Sequence, residues 1–184
     1  MWVKSTIKNH PGQHKMIKKV ELLRNTIHYC CYKAEYKRHL LTNKLNPFVL
    51  LGEMPVLKRR FEEQGISHME VVNGLWSDKR FGFSIAISGG GLTIIMFMII
   101  WAVFLMLNSL LIYPIGFSWR PFTICMGLAL MICYLTVYQK DKYLSYFRQF
   151  EKWSSQQQMK FGLLSFVFTV GGIGLFIYNF RFLP

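Results

Sequence analysis

The sequence predicts an all-α, polytopic membrane protein with three transmembrane helices and a small N-terminal helical head. Composition is the first reason: of 184 residues, 52% are hydrophobic and only 17% charged. Distribution is the second. Residues 1–80 hold 15 of the 22 Lys and Arg and 7 of the 9 Asp and Glu, whereas 81–119 carry no charged side chain. Such a split marks two solvents rather than two soluble folds, a basic head over 1–80 and a membrane domain over 81–184.

The opening residues mix Lys, His, Asn and Pro and lack the apolar core of a secretory signal, so the head is expected to stay where it is made. Met16, Val20, Leu23, Ile27, Cys30 and Ala34 then recur at gaps of four, three, four, three and four. That is the seam of a helix that packs on another helix, within its own domain or in a second copy. Leu45 to Leu51 reads as a turn and apolar link around Pro47. Pro55 opens a short helix through Val56, Leu57 and Phe61 that ends near Gly65, and Ser67 with Glu70 reads as a capping box for a helix leading to the membrane. A head of three short helices buries little alone, so it is expected to lean on the membrane or on neighbouring subunits.

As one helix, 81–119 would be roughly 58 Å long, too much for one hydrocarbon core of about 30 Å and too little for two spans and a turn. A single span is expected at about 91–111, with Gly89, Gly90 and Gly91 as a flexible entry and Pro114 and Gly116 as the stop. Helical structure over 81–88 would move its start back by about two turns. The second span covers about 122–138, opened by Pro121 and closed by Gln139, Lys140, Asp141 and Lys142. Segment 139–160 is amphipathic, with Tyr143, Phe147 and Phe150 on one face, Trp153 close by, and Lys142, Arg148 and Lys152 elsewhere. It is expected either to lie in the headgroup layer or to continue the second span. Ser154 to Gln158 form a turn into the third span, about 161–178. Trp76, Tyr143, Phe147, Phe150 and Trp153 are expected as interfacial anchors. In the third span Gly162, Ser165, Thr169 and Gly172 form a small-residue stripe that admits another helix, of the same chain or of another subunit.

The loop between the first two spans carries only Arg120, whereas that between the second and third carries Lys140, Lys142, Arg148, Lys152 and Lys160. The positive-inside rule then puts the N-terminus in the cytoplasm and the C-terminus across the membrane, a bacterial inner membrane or its equivalent.

Little points to chemistry. Cys30 and Cys31 are adjacent, and Cys125 and Cys133 would be about 12 Å apart on one helix, so all four are expected as small apolar fillers. Arg24 with His28, and Glu35 with His39, read as helix-surface pairs. No phosphate-binding loop, nucleophile elbow or metal-ligand spacing appears, and the spans hold no ionisable residue, which argues against an ion-coupled carrier. No catalytic, cofactor or metal site is expected. The net charge of +13 fits attraction to an anionic leaflet, with nucleic-acid binding by the basic head a lesser reading.

The expected role is a non-catalytic accessory or assembly subunit of a larger membrane complex, joined to itself or to other membrane subunits. An alternative is an oligomeric pore-forming effector triggered by a cytoplasmic partner, as in prokaryotic defence systems. A membrane-embedded enzyme comes third.

Overall fold

The computed structural model describes residues 11–113, 115–116 and 118–182, with the backbone alone at 11–15, 17, 44 and 182. Residues 1–10 of the head, and Pro114, expected to stop the first span, lie outside the described residues. The described chain is helical throughout. Helix α1 runs from Pro11 to Thr42. After a 3-10 turn at Asn43–Leu45, α2 (Pro47–Gly52) forms where a turn and apolar link was expected. Asn46 explains it: its Oδ1 accepts from the Phe48 N–H at 3.0 Å, and Pro47 supplies a preset first turn. Helix α3 (Pro55–Glu63) starts at Pro55 as expected, and Gly65 beyond it takes φ +65°.

Helix α4 (His68–Ser77) begins after Ser67, but the Ser67 side chain makes no capping bond. The capping box lies elsewhere. Ser154 Oγ accepts from the Gln157 N–H, and Gln157 Oε1 accepts from the Ser154 N–H, starting α8 (Ser155–Asn179) where a turn was expected.

Helix α5 (Phe83–Asn108) begins eight residues before Gly91, so Gly89, Gly90 and Gly91 are helical rather than a flexible entry. Each glycine costs a helix about 1 kcal/mol against alanine. Packing offsets that cost: Leu92, Met96, Phe97, Trp101 and Leu105 of α5 are buried in the core. Ahead of α5, Asp78 Oδ1 accepts from the Arg80 and Phe81 N–H groups at 2.6 and 2.9 Å and turns the chain out of α4. Behind it, the buried Asn108 side chain bonds both the N–H and the C=O of Ile115, at 2.8 and 3.0 Å, and closes the connection to α6.

Helix α6 (Trp119–Cys133) passes into a π-helical turn at Tyr134–Tyr138. Lys140 and Asp141 then take left-handed backbone, φ 57° and 53°, and α7 (Lys142–Phe150) leaves in a new direction. The amphipathic segment therefore does not continue the second span as an unbroken helix. A run of α-helix cannot pass two left-handed residues without changing its axis.

Three stretches are long and apolar enough to cross a membrane: Phe83–Asn108, the α6 stretch from Trp119, and Ser155–Asn179. α5 is the hub, packed on α6, α8 and α1. α1 in turn packs on α5, α7, α8 and the π turn, and Arg24 bonds the Ile132 carbonyl at the end of α6.

Candidate functional site

The densest polar and aromatic region is the slot that receives α1. Periodicity predicts one buried face, yet Asn25, Thr26, Ile27, His28 and Tyr29 are five consecutive buried residues. A helix buried at five successive positions is enclosed on every side, because 100° steps carry five residues right round the axis. Of the expected seam, Ile27 is fully buried and Cys30 half-buried, whereas Met16 is 63% exposed and Val20, Leu23 and Ala34 are also exposed. One seam residue, Cys30, lies beside the expected small-residue stripe of α8. Cys30 lies in hydrogen-bonding reach of Ser165, and burial raises its thiol while Ser165 partly offsets the rise. Gly172 faces Ile95 and Ile99 of α5, with room for a Cβ only at 3.1 Å, and Ser165 is buried while Gly162 and Thr169 are half-buried.

Three polar residues of α1 spaced i, i+3, i+4, namely Glu21, Arg24 and Asn25, dock it on the end of α6, the π turn and α7. Arg24 Nη1 donates to the Ile132 carbonyl at 3.2 Å and to Thr136 Oγ1 at 3.0 Å. Asn25 Nδ2 donates to the Thr136 carbonyl at 3.0 Å. Glu21 accepts from Lys142 Nζ at 3.1 Å on one oxygen and from the Tyr146 hydroxyl at 3.2 Å on the other. A π turn disrupts the regular ladder of carbonyls, and here α1 supplies donors to the carbonyls in and just before it. The ionisable groups missing from the spans' own sequences thus reach them from α1, a step that reading each span alone could not reveal.

His28 lies deepest. Its ring sits 5.8, 5.7 and 5.3 Å from the rings of Tyr138, Tyr143 and Phe147. Neither ring nitrogen has a hydrogen-bond partner, and the Ser84 hydroxyl and Asn25 Oδ1 are likewise buried and unpartnered. Burial pushes the His28 pKa down to about 4. Arg24 and His28 are therefore not a surface pair.

The expected interfacial anchors are found inside the protein. Phe147 is 0% exposed, Tyr143 and Phe150 are buried, and their rings pack on His28, Tyr29 and Tyr32 of α1. Trp153 is half-buried, stacked between Phe150 at 4.2 Å and Phe161 at 4.4 Å. The same aromatic face that would suit a headgroup layer suits a neighbouring helix. Burial pushes the Tyr29 and Tyr32 phenols up to about 12.

At the far end of α1, His39 is buried, stacked on Trp76 at 4.4 Å and 5°, rather than paired with Glu35, which binds Arg38. Its Nε2 meets Asn73 Oδ1 at 3.1 Å and its Nδ1 meets Asn46 Nδ2 at 3.4 Å. A proton on Nε2 satisfies both contacts and ties α1 to α4 and to the cap of α2. Trp76 is thus a packing residue of the head.

Among the described residues no group of three or more His, Cys, Asp or Glu is placed to hold a metal ion. Cys31 is held up to about 11, first by burial and then by Cys30 and Glu35. Comparison with protein-family models, curated proteins and solved structures finds no match to this chain.

Proposed function

We propose that this chain is a non-catalytic, multi-pass membrane protein that serves as an accessory or assembly subunit of a larger membrane complex. Its head and the α7 segment face the cytoplasm, and the C-terminal end of α8 lies across the membrane. The outward surface of the long helices carries this reading. From Phe83 to Leu107 and from Phe161 to Ile177, every exposed side chain is apolar or glycine, and only 11% of the third candidate span is buried within the chain. Such surface requires lipid or apolar partner helices around it. In the head, Leu41, Leu45, Phe48, Leu50 and Val56 are exposed apolar side chains available to a protein partner.

An oligomeric pore opened by a cytoplasmic partner has less support. The polar groups of the spans turn inward or bond their own helix, as Ser88 does to Ile85 and Thr93 to Gly89, and leave no polar outward wall on α5 or α8 for a water-filled channel. A catalytic reading has less support, because His28 is 0% exposed and walled in by the rings of Tyr138, Tyr143 and Phe147. The test is gentle detergent purification followed by native mass spectrometry, with dye leakage from vesicles in parallel. A heteromeric assembly without leakage is expected. A closed homo-oligomer that leaks dye would replace this reading with the pore, and a lone monomer would sink both.

A further inference from the structure

Helices α1 and α8 leave a groove between them that no part of the described chain fills. Its larger cavity, about 380 Å³, has apolar walls from Leu22, Leu23, Phe150, Phe161 and Leu164, with Lys19 at the side. That volume lies in the range of small-ligand clefts. A second cavity of about 200 Å³ continues along the same helix pair, and Trp153 lines both. This second part is basic: Lys33 and Lys37 line it beside Cys30 and Gly162, and no acidic residue lines either part. The basic part reaches back to Gln158 near the start of α8 and the apolar part forward to Leu164, with Gln149 and Phe150 of α7 beside it.

We propose that this groove binds one anionic phospholipid of the surrounding bilayer, its acyl chain in the apolar part and its phosphate against Lys33 and Lys37. Two features choose a lipid as the occupant. Leu163 and Leu164 are exposed on the third candidate span, so the apolar part is continuous with surface that faces lipid. Two lysines with no carboxylate in the lining complement a headgroup of net negative charge better than a zwitterionic one, whose cation finds no acidic partner there. The Lys33 ammonium lies 5.7 Å from the centre of the Tyr29 ring, which fixes it at the groove. This site rests on the membrane reading of α8.

The full chain is reconstituted in nanodiscs of phosphatidylcholine with or without phosphatidylglycerol, then released gently and weighed by native mass spectrometry. One retained phosphatidylglycerol is expected, preferred over phosphatidylcholine by about tenfold or more. Lys33→Glu with Lys37→Glu abolishes the preference, and Leu164→Trp, which fills the apolar part, abolishes retention while the circular dichroism is unchanged. Equal retention of both lipids, or retention indifferent to these variants, overturns the site. Carbonate extraction of the same membranes separates the two claims: a chain that washes out defeats the membrane reading itself, whereas a chain that stays but ignores the headgroup defeats the groove alone.

Discussion

The Arg24 guanidinium bridges the Ile132 carbonyl and the Thr136 hydroxyl through one nitrogen, at 3.2 and 3.0 Å, and joins α1 to the π turn that ends the second long helix. Hydrogen bonds to charged groups contribute about 1.5–3 kcal/mol each when partly buried, although the Ile132 carbonyl keeps a second donor in the Thr136 hydroxyl at 2.7 Å. Arg24→Met keeps the stem and removes both bonds. It is expected to lower stability by about 2–3 kcal/mol, read as the unfolding midpoint in detergent. Arg24→Lys should recover only part, because the lysine ammonium sits on a shorter side chain and reaches less far than Nη1. A variant as stable as the parent would show that α1 is held by its aromatic face alone.

His28 makes the fold acid-sensitive. Its folded pKa of about 4 lies below the ordinary value of 6.5, so the unfolded chain takes up the proton first. The contribution is fully present above pH 6.5 and is lost as pH falls towards 4, by about 3 kcal/mol. His28→Phe, set among the rings of Tyr138, Tyr143 and Phe147, removes two unpartnered nitrogens and should flatten that part of the pH profile. Parallel pH profiles for variant and parent would contradict the burial argument.

Gly89 and Tyr138 should be coupled. A Cβ on Gly89 would overlap the Tyr138 hydroxyl and come within 3.2 Å of its ring carbon. Gly89→Ala is therefore expected to cost about 1–3 kcal/mol, as overpacking does. In a Tyr138→Phe background the nearest atom is gone, and the cost should fall by half or more. A double-mutant cycle measures this, and additive effects would refute the contact.

Lys140 sits with φ 57°, which costs a side chain roughly 1 kcal/mol that glycine avoids. Lys140→Gly should thus hold or raise the thermal midpoint despite glycine's greater freedom when unfolded. A fall of several degrees would mean that the lysine side chain supports the break between the π turn and α7.

Much of the architecture was legible because it depends on which solvent each stretch tolerates. An uncharged run of residues 81–119 cannot be a soluble domain whatever its neighbours do, and Pro55 or Pro121 restricts its own backbone locally. Boundaries were less legible. Helix ends here are set by side chains such as Asp78, Asn46 and Gln157, whose bonds depend on where the next few residues go.

What the sequence by itself determined is the three long apolar helices and the polarity of each segment, since apolar periodicity and charge exclusion are properties of each segment alone. Only the tertiary structure decided that residues 25–29 of α1 are enclosed on all sides, that Tyr143, Phe147 and Phe150 face His28, Tyr29 and Tyr32, and that Cys30 of the seam lies beside Ser165 of the small-residue stripe. An aromatic or small side chain is equally content against lipid or against another helix, because both are apolar solvents of similar polarity. Which of the two it meets is settled by the path of the whole chain.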